Sequence, residues 1–322
     1  MPMFKIFSRK PKQKDFLVLE IGLERITCAI FKKEETTLQL SGVGRKKFFS
    51  QEEVFDATLG AIDALAAIVP DFPHKGILGV CGGSLETTTT IARYDRPKPK
   101  SSISPKETEE ALNKVVENLE VAGKKIFFST IANAKIDGVK VTNPIGLKGE
   151  RVELSCFAAF KDVEEIALID RLVSEIDLAV EKIVPVGFAV ASMLERRNLK
   201  NALIYRAGTI RSEFTVLIDG HVAEISPVDL GTEEAELLPF AWQAALKDVG
   251  KEGAPALVWL FGDSDEVALD PLKEKLLAFA WSSQLGLEIA PKIEIAEPVH
   301  NFSASDMGIY ALSSWEVKNE TA

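Results

Sequence analysis

The chain has 322 residues, 46% hydrophobic and 27% charged, a globular balance with length for two or three domains. Its net charge of −10 argues against a nucleic-acid partner, because neutralising phosphate supplies most of that affinity. Cys28, Cys81 and Cys156 are scattered, as are His74, His221 and His300, so no disulfide framework, zinc spacing or nucleophile–base set can be drawn.

Residues 1–14, MPMFKIFSRKPKQK, put Met3, Ile6 and Phe7 on one helical face, with Arg9, Lys10, Lys12 and Lys14 beside and after it. This basic amphipathic tail suits an anionic membrane surface, and a solvated tail is the alternative. No apolar run is long enough for a membrane-spanning helix or a signal peptide, so a cytoplasmic protein is expected, peripheral at the inner face of the membrane if the tail binds it.

Strands are predicted over Phe16–Ile21, Ile26–Ile30 and Leu38–Val43, then a helix spaced by Val54, Leu59, Ile62, Leu65 and Ile68. KGILGVCGG reads as a buried strand ended by glycines. LETTTTIARYD begins a different texture: a β-branched strand, a Pro/Lys/Ser loop, and a helix with Ser104 as cap, Pro105 first and Glu107 completing a capping box. Three strands follow, with a turn at Asp137-Gly138 and a loop at Asn143-Pro144. Asp162 is expected to cap a helix bearing Ile166, Ile169 and Leu172; a strand and a small-residue helix, GFAVASMLERR, come next.

NALIYRAGTIRSEFTVLIDG, residues 201–220, reads as a hairpin broken at Gly208. Beyond it are predicted a helix starting in a capping box at Thr232 and kinked at Pro239, a buried strand in APALVWLFG, one helix over DPLKEKLLAFAWSSQLG, a strand pair in LEIAPKIEIAEP and a closing helix, SASDMGIYALSSW.

The chain thus holds two similar halves, each with a glycine-broken strand pair, and the first carries an insertion. This arrangement resembles the actin-like ATPase superfamily, and more narrowly FtsA, the actin-like bacterial cell-division proteins. KIDGVKVTNPIGLKGERVELSCFAAF is similar to the FtsA pattern of a DG turn and then NPxGxxGxxLE in an inserted subdomain 1C. GVCGGSLETTTTI resembles the strand entering that insertion, and VEKIVPVGFAVASML the helix before the second phosphate hairpin. The start, MFKIFSRKPKQ…VLEIG, also resembles PilM, an FtsA relative in type IV pilus assembly.

The resemblance implies an α/β, actin-like (ribonuclease H-like) two-lobed fold with a small inserted α+β subdomain of the 1C, or SHS2, type. It divides the chain into the tail 1–14, subdomain 1A over 15–83 and 162–200, subdomain 1C over 84–161, and subdomain 2A over 201–322. Only about 35 residues separate Gly220 from Ala256, so the family's subdomain 2B is expected to be reduced or missing.

The family holds ATP and magnesium between its halves, on two hairpins and a glycine turn. The first hairpin, usually D-x-G-[ST], is Glu20-Ile21-Gly22-Leu23 here: acid and glycine remain, the hydroxyl is lost. The second, usually D-x-G-G-G-T-T, is Arg206-Ala207-Gly208-Thr209-Ile210-Arg211-Ser212. Arginine stands in place of the acid; it repels Mg²⁺ yet can still pair with a phosphate. The adenosine turn is Gly262-Asp263-Ser264-Asp265, whose acids, with Glu266, would repel a triphosphate and read as a solvated turn or a weak cation site.

Candidate cofactor-binding residues are therefore Glu20, Gly22, Arg206, Gly208, Thr209, Gly262 and Asp263, for ATP without magnesium. No catalytic or metal residue is assigned, and little or no ATP hydrolysis is expected. The function implied is an FtsA-like scaffold that joins FtsZ or other division proteins, through self-association into filaments and an anionic membrane surface. The alternatives are a PilM-like platform and an active ATPase or kinase of the superfamily.

Overall fold

The computed structural model describes residues 15–34, 37–69, 72–141, 143–194, 199, 201–248, 257–286, 289–299 and 302–320. The basic tail, 1–14, lies outside them. Two five-stranded sheets share one plan. The first runs β3-β2-β1-β4-β9, built from β1 (Asp15–Ile21), β2 (Arg25–Glu34), β3 (Thr37–Lys47), β4 (Lys75–Val80) and β9 (Ala179–Pro185). The second runs β12-β11-β10-β13-β14, from β10 (Ala202–Ala207), β11 (Ser212–Ile218), β12 (His221–Val228), β13 (Leu257–Gly262) and β14 (Lys292–Ile295). In each, three antiparallel strands lead into two parallel ones.

Side-chain alternation along the central strands sets the layers. Leu17, Leu19 and Ile21 of β1 pack on α1 (Val54–Ala66) and α3 (Val163–Glu175), through Ala61, Leu65, Ile166 and Leu172. Phe16 and Val18 face the other way, onto α4 (Val186–Leu194) and α8 (Met307–Glu320). Those two helices also receive Ala202 and Ile204 of β10, while Leu203, Tyr205 and Ala207 face α5 (Leu238–Asp248), α6 (Leu269–Ala278) and α7 (Trp281–Leu285). The result is a five-layer α/β/α/β/α stack. The next residue on each inner face is charged: Glu20 after Val18, and Arg206 after Ile204. The period of two therefore aims both into the junction between the lobes.

A third sheet, β5-β8-β6-β7, joins β5 (Glu86–Asp95), β6 (Lys124–Ile136), β7 (Val139–Val141) and β8 (Arg151–Asp162). Helix α2 (Pro105–Glu117) covers it, with a core of Ile103, Ala134, Ile136, Val152 and Leu154. The turn at Asp137-Gly138 forms with both φ angles positive, 50° and 81°. β5 also touches the second lobe, where Thr87 Oγ1 bonds the backbone of Ile225.

Several local expectations change. Ser104 accepts the Glu107 N–H at 3.2 Å, but the Glu107 carboxylate is drawn to Arg96 at 2.6 Å instead of closing a capping box. Asp162 sits at the N-cap of α3 without capping it, because its side chain pairs with Lys124 at 3.0 Å. Pro239 does not kink a helix. Residues 232–237 are turns, α5 begins at Leu238, and the proline falls in the first turn, where no N–H is required of it. The helix expected over 270–286 is two, α6 and α7, broken at Phe279-Ala280 and ended by Gly286 in the left-handed region. Of the strand pair expected after it, the described residues contribute one strand, β14, and residues 287 and 288 lie outside them. The closing helix continues to Glu320. Among the described residues no helix is long and apolar enough to cross a membrane.

Candidate functional site

Two hairpins face each other at the junction of the lobes. In the first, β1 turns into β2 through Gly22-Leu23-Glu24, with the Gly22 N–H closing onto the Arg25 carbonyl at 2.9 Å. In the second, β10 turns into β11 through residues 208–211. Tight turns of this kind present consecutive backbone N–H groups, which in a phosphate-binding hairpin would point at an anion.

Here the anions belong to the chain. Asp263, at the end of β13, accepts the N–H of Leu23 on Oδ1 and that of Glu24 on Oδ2, both at 2.9 Å. Glu24 reaches the opposite way. Its Oε1 accepts from Ile210 N at 2.6 Å and Arg211 N at 3.0 Å, and its Oε2 from Thr209 N at 3.0 Å and from the Thr209 hydroxyl. Each hairpin is thus filled by a carboxylate from across the junction.

Arg206 ties the two together. Its Nε donates to Asp263 Oδ1 at 2.7 Å and its Nη2 pairs with Glu20. Arg206 is 2% exposed and Asp263 fully buried. Close approach is needed here, since a Cβ on Gly22 would stand 2.8 Å from Asp263 Oδ1 and 2.9 Å from Arg206 Nη2. A Cβ on Gly308, in the first turn of α8, would stand 2.5 Å from Glu20 Oε2.

Further carboxylates complete the pattern. Glu213, opposite Arg206 in register, accepts the Gly82 N–H at 2.8 Å. Glu165 takes the Ser84 N–H at 2.9 Å and the Lys161 ammonium at 2.6 Å. Asp306 binds Arg45 in bidentate fashion, 2.9 Å to Oδ1 and 2.8 Å to Oδ2, and lies near Arg25, whose Nη2 donates to the Ser305 carbonyl at 2.8 Å.

Burial dominates the electrostatics. It raises the Glu20 carboxyl above its usual range against the pull of Arg206 and Arg25. It lifts Glu213 to about 7. Burial works against the Arg206 charge, but Asp263 and Glu20 more than restore it, so the guanidinium stays protonated. Cys28 is pushed up to about 12 and Cys81 also rises, both by burial, so neither thiol is a nucleophile at neutral pH.

All seven residues singled out from the sequence meet at this junction. Gly262 is paired with Ala207 in register, and the Asp263 N–H returns to the Ala207 carbonyl at 2.7 Å. Two readings of their surroundings change. The 262–266 turn is solvated only in part: Asp263 is buried, while Asp265, held by Ser303 and Ser305, and Glu266, paired with Lys47, are exposed. Arg206 does not wait for a phosphate; its partners are Glu20 and Asp263. Sequence reasoning passed over Glu24, Arg25, Glu213, Asp306 and Gly308. The available signals were an acid two residues after Gly22 and a glutamate inside the apolar alternation of β11.

A nucleotide with magnesium does not fit this residue set. The backbone N–H groups that would take phosphate are engaged by carboxylates, and a buried guanidinium stands where the metal-handling acid would be.

The class defined by this architecture is the actin-like ATPase fold. A solved structure from Bacteroides thetaiotaomicron, described as a protein with actin-like ATPase fold and unknown function, aligns with TM-score 0.51 and 8% identity, over 94% of this chain and 96% of that one. A PilM-PilN type IV pilus biogenesis complex aligns with TM-score 0.61 and 12% identity, over 95% of this chain and 99% of that one. At such identities the likeness is one of fold. No protein-family model matches the chain, and no curated protein matches it.

Proposed function

We propose that this chain is an actin-fold scaffold that joins other proteins near a membrane and does not turn over ATP. The observation that carries the reading is the reciprocal filling of the two hairpins by Glu24 and Asp263. Phosphoryl transfer needs a metal and free donors aimed at the phosphates. This junction spends its donors on its own carboxylates, and the same bonds fasten the lobes together. A fastened body is suited to holding partners in fixed relative positions.

The finer reading is a PilM-like platform for pilus assembly, favoured by the likeness to the PilM-PilN complex over nearly all of both chains. An FtsA-like division adaptor is the second reading, favoured by the DG turn and NPxGxxG run between Asp137 and Gly149. Fold alone does not choose between them. Co-purification of the full chain with FtsZ or with pilus-assembly proteins separates the two. Steady magnesium-dependent ATP hydrolysis that Glu20→Gln abolishes would overturn the scaffold reading itself.

A further inference from the structure

The module 84–161 is basic in an acidic protein, with thirteen Lys and Arg against ten Asp and Glu, a net +3, where the whole chain carries −10. Three of its exposed cations, Lys98, Lys100 and Lys148, stand at one end. The loop 97–104 runs beside the loop 143–149, joined by Ile103 N to the Leu147 carbonyl at 2.8 Å, Gly146 N to the Ile103 carbonyl at 2.9 Å and Gly149 N to the Pro99 carbonyl at 3.2 Å. Buried Arg96 clamps both, donating through Nη1 to the carbonyls of Ser101 at 2.9 Å and Gly149 at 3.1 Å while Glu107 holds its other edge. The tip is therefore preformed.

Its outer surface carries Lys98, Lys100 and Lys148, all exposed and without an ion-pair partner among the described residues. Neither loop contains an acid: none lies between Arg96 and Lys106, nor between Asp137 and Glu150. Asp137 behind it is occupied, accepting the N–H groups of Glu150 and Arg151. Among the lysines stand two exposed aliphatic side chains, Ile145 at 44% and Leu147 at 41%. Asn143 accepts the Ile145 N–H at 2.9 Å in an Asx turn, with Pro144 buried and Ile145 left outside. The arrangement costs exposed apolar surface, and its packing within the chain gives no reason for it.

We propose that this tip docks on an anionic phospholipid surface, its three lysines meeting the headgroups and Ile145 and Leu147 entering the interfacial layer. Charge complementarity selects the lipid over the acidic body of a second copy, because the aliphatic pair needs an apolar layer beneath the charges. An acidic peptide fits less well. A peptide of acids would pair with the lysines and leave Ile145 and Leu147 uncovered. The site is independent of the tail 1–14 and of the scaffold reading.

The test is co-sedimentation of the full chain with vesicles of phosphatidylcholine alone and of phosphatidylcholine with phosphatidylglycerol, in a background where Arg9, Lys10, Lys12 and Lys14 are glutamine. The chain should bind only the anionic vesicles, and less so as salt rises. Replacing Lys98, Lys100 and Lys148 by glutamine should weaken partitioning about 100-fold, given roughly 1 kcal/mol per surface cation. Ile145→Ser with Leu147→Ser should weaken it several-fold with the charges intact. Both variants alter exposed side chains, and an unchanged denaturation midpoint will show that they fold. Equal binding of the lysine variant and its parent, equal binding to neutral vesicles, or no vesicle binding in this background would each overturn the proposal. Capture of an acidic peptide without vesicle binding would overturn it too and assign the tip to a protein partner.

Discussion

Glu24 and Ile210 lie 186 positions apart, yet the Glu24 carboxylate accepts the Ile210 N–H at 2.6 Å, along with the N–H groups on either side of it. A charge-assisted set of this kind satisfies part-buried backbone donors at the turn. It also welds the first hairpin to the second. Replacing Glu24 by alanine should destabilise the protein by about 2 kcal/mol, the scale of losing charge-assisted hydrogen bonds to part-buried donors. The vacated turn is then an anion site. Added inorganic phosphate should raise the denaturation midpoint of Glu24→Ala above that in equal ionic strength of chloride, and leave the parent protein's midpoint where chloride puts it. An equally stable Glu24→Ala protein would show that this carboxylate does not hold the lobes.

Arg206 carries the one positive charge between Glu20 and Asp263, and all three are almost wholly buried. Removing it leaves two buried carboxylates facing each other, with Arg25 still acting on Glu20. Arg206→Met should cost about 3–5 kcal/mol, in line with breaking a buried pair from one side. Arg206→Lys should recover only part of that, since an ammonium cannot serve both acids with the planar fork of a guanidinium. Denaturant unfolding of the two variants beside the parent checks the order: parent, then lysine, then methionine.

Glu213 supplies a pH signature. Its folded value, about 7, lies above the ordinary 4.5 because the carboxyl is buried. A carboxyl raised in the folded state binds its proton more tightly there than in the unfolded chain, so stability is greatest at low pH within its window. It is lost as pH climbs from about 4.5 through 7, by about 3 kcal/mol in full. Glu213→Gln keeps an acceptor for the Gly82 N–H and removes the proton. The stability gap between this variant and the parent should widen in the variant's favour as pH goes from 5 to 8. Using the difference cancels the opposite slopes of Glu107, Glu165 and Asp265, whose values are lowered. A gap that does not change with pH would contradict the raised value.

Much of the fold was legible because its signals are local. The β1–β2 and β10–β11 hairpins announce themselves through apolar runs broken at Gly22 and Gly208, and Ser104-Pro105 marks the start of α2. What could not be read were choices made by distant partners. Glu107 has the spacing of a capping box, but Arg96 offers it a full charge. Pro239 sits inside a helical pattern, and the helix simply begins at Leu238 beside it. Asp263 looks like one of three loop acids until the other lobe brings the Leu23 and Glu24 N–H groups to it from 240 and 239 positions away. Arg206 drew notice as an arginine in an acid's place, while its partners, Glu20 and Asp263, needed the two lobes in contact. Glu24 escaped notice for the same reason, since its role exists only where the hairpins meet.

The central claim is that the junction is filled by the protein's own carboxylates and has no room for a nucleotide's phosphates. Isothermal titration of ATP into the full chain, with and without magnesium, tests it most directly. The expected result is no saturable heat under either condition. Saturable binding that requires magnesium and disappears in Glu20→Gln would contradict it.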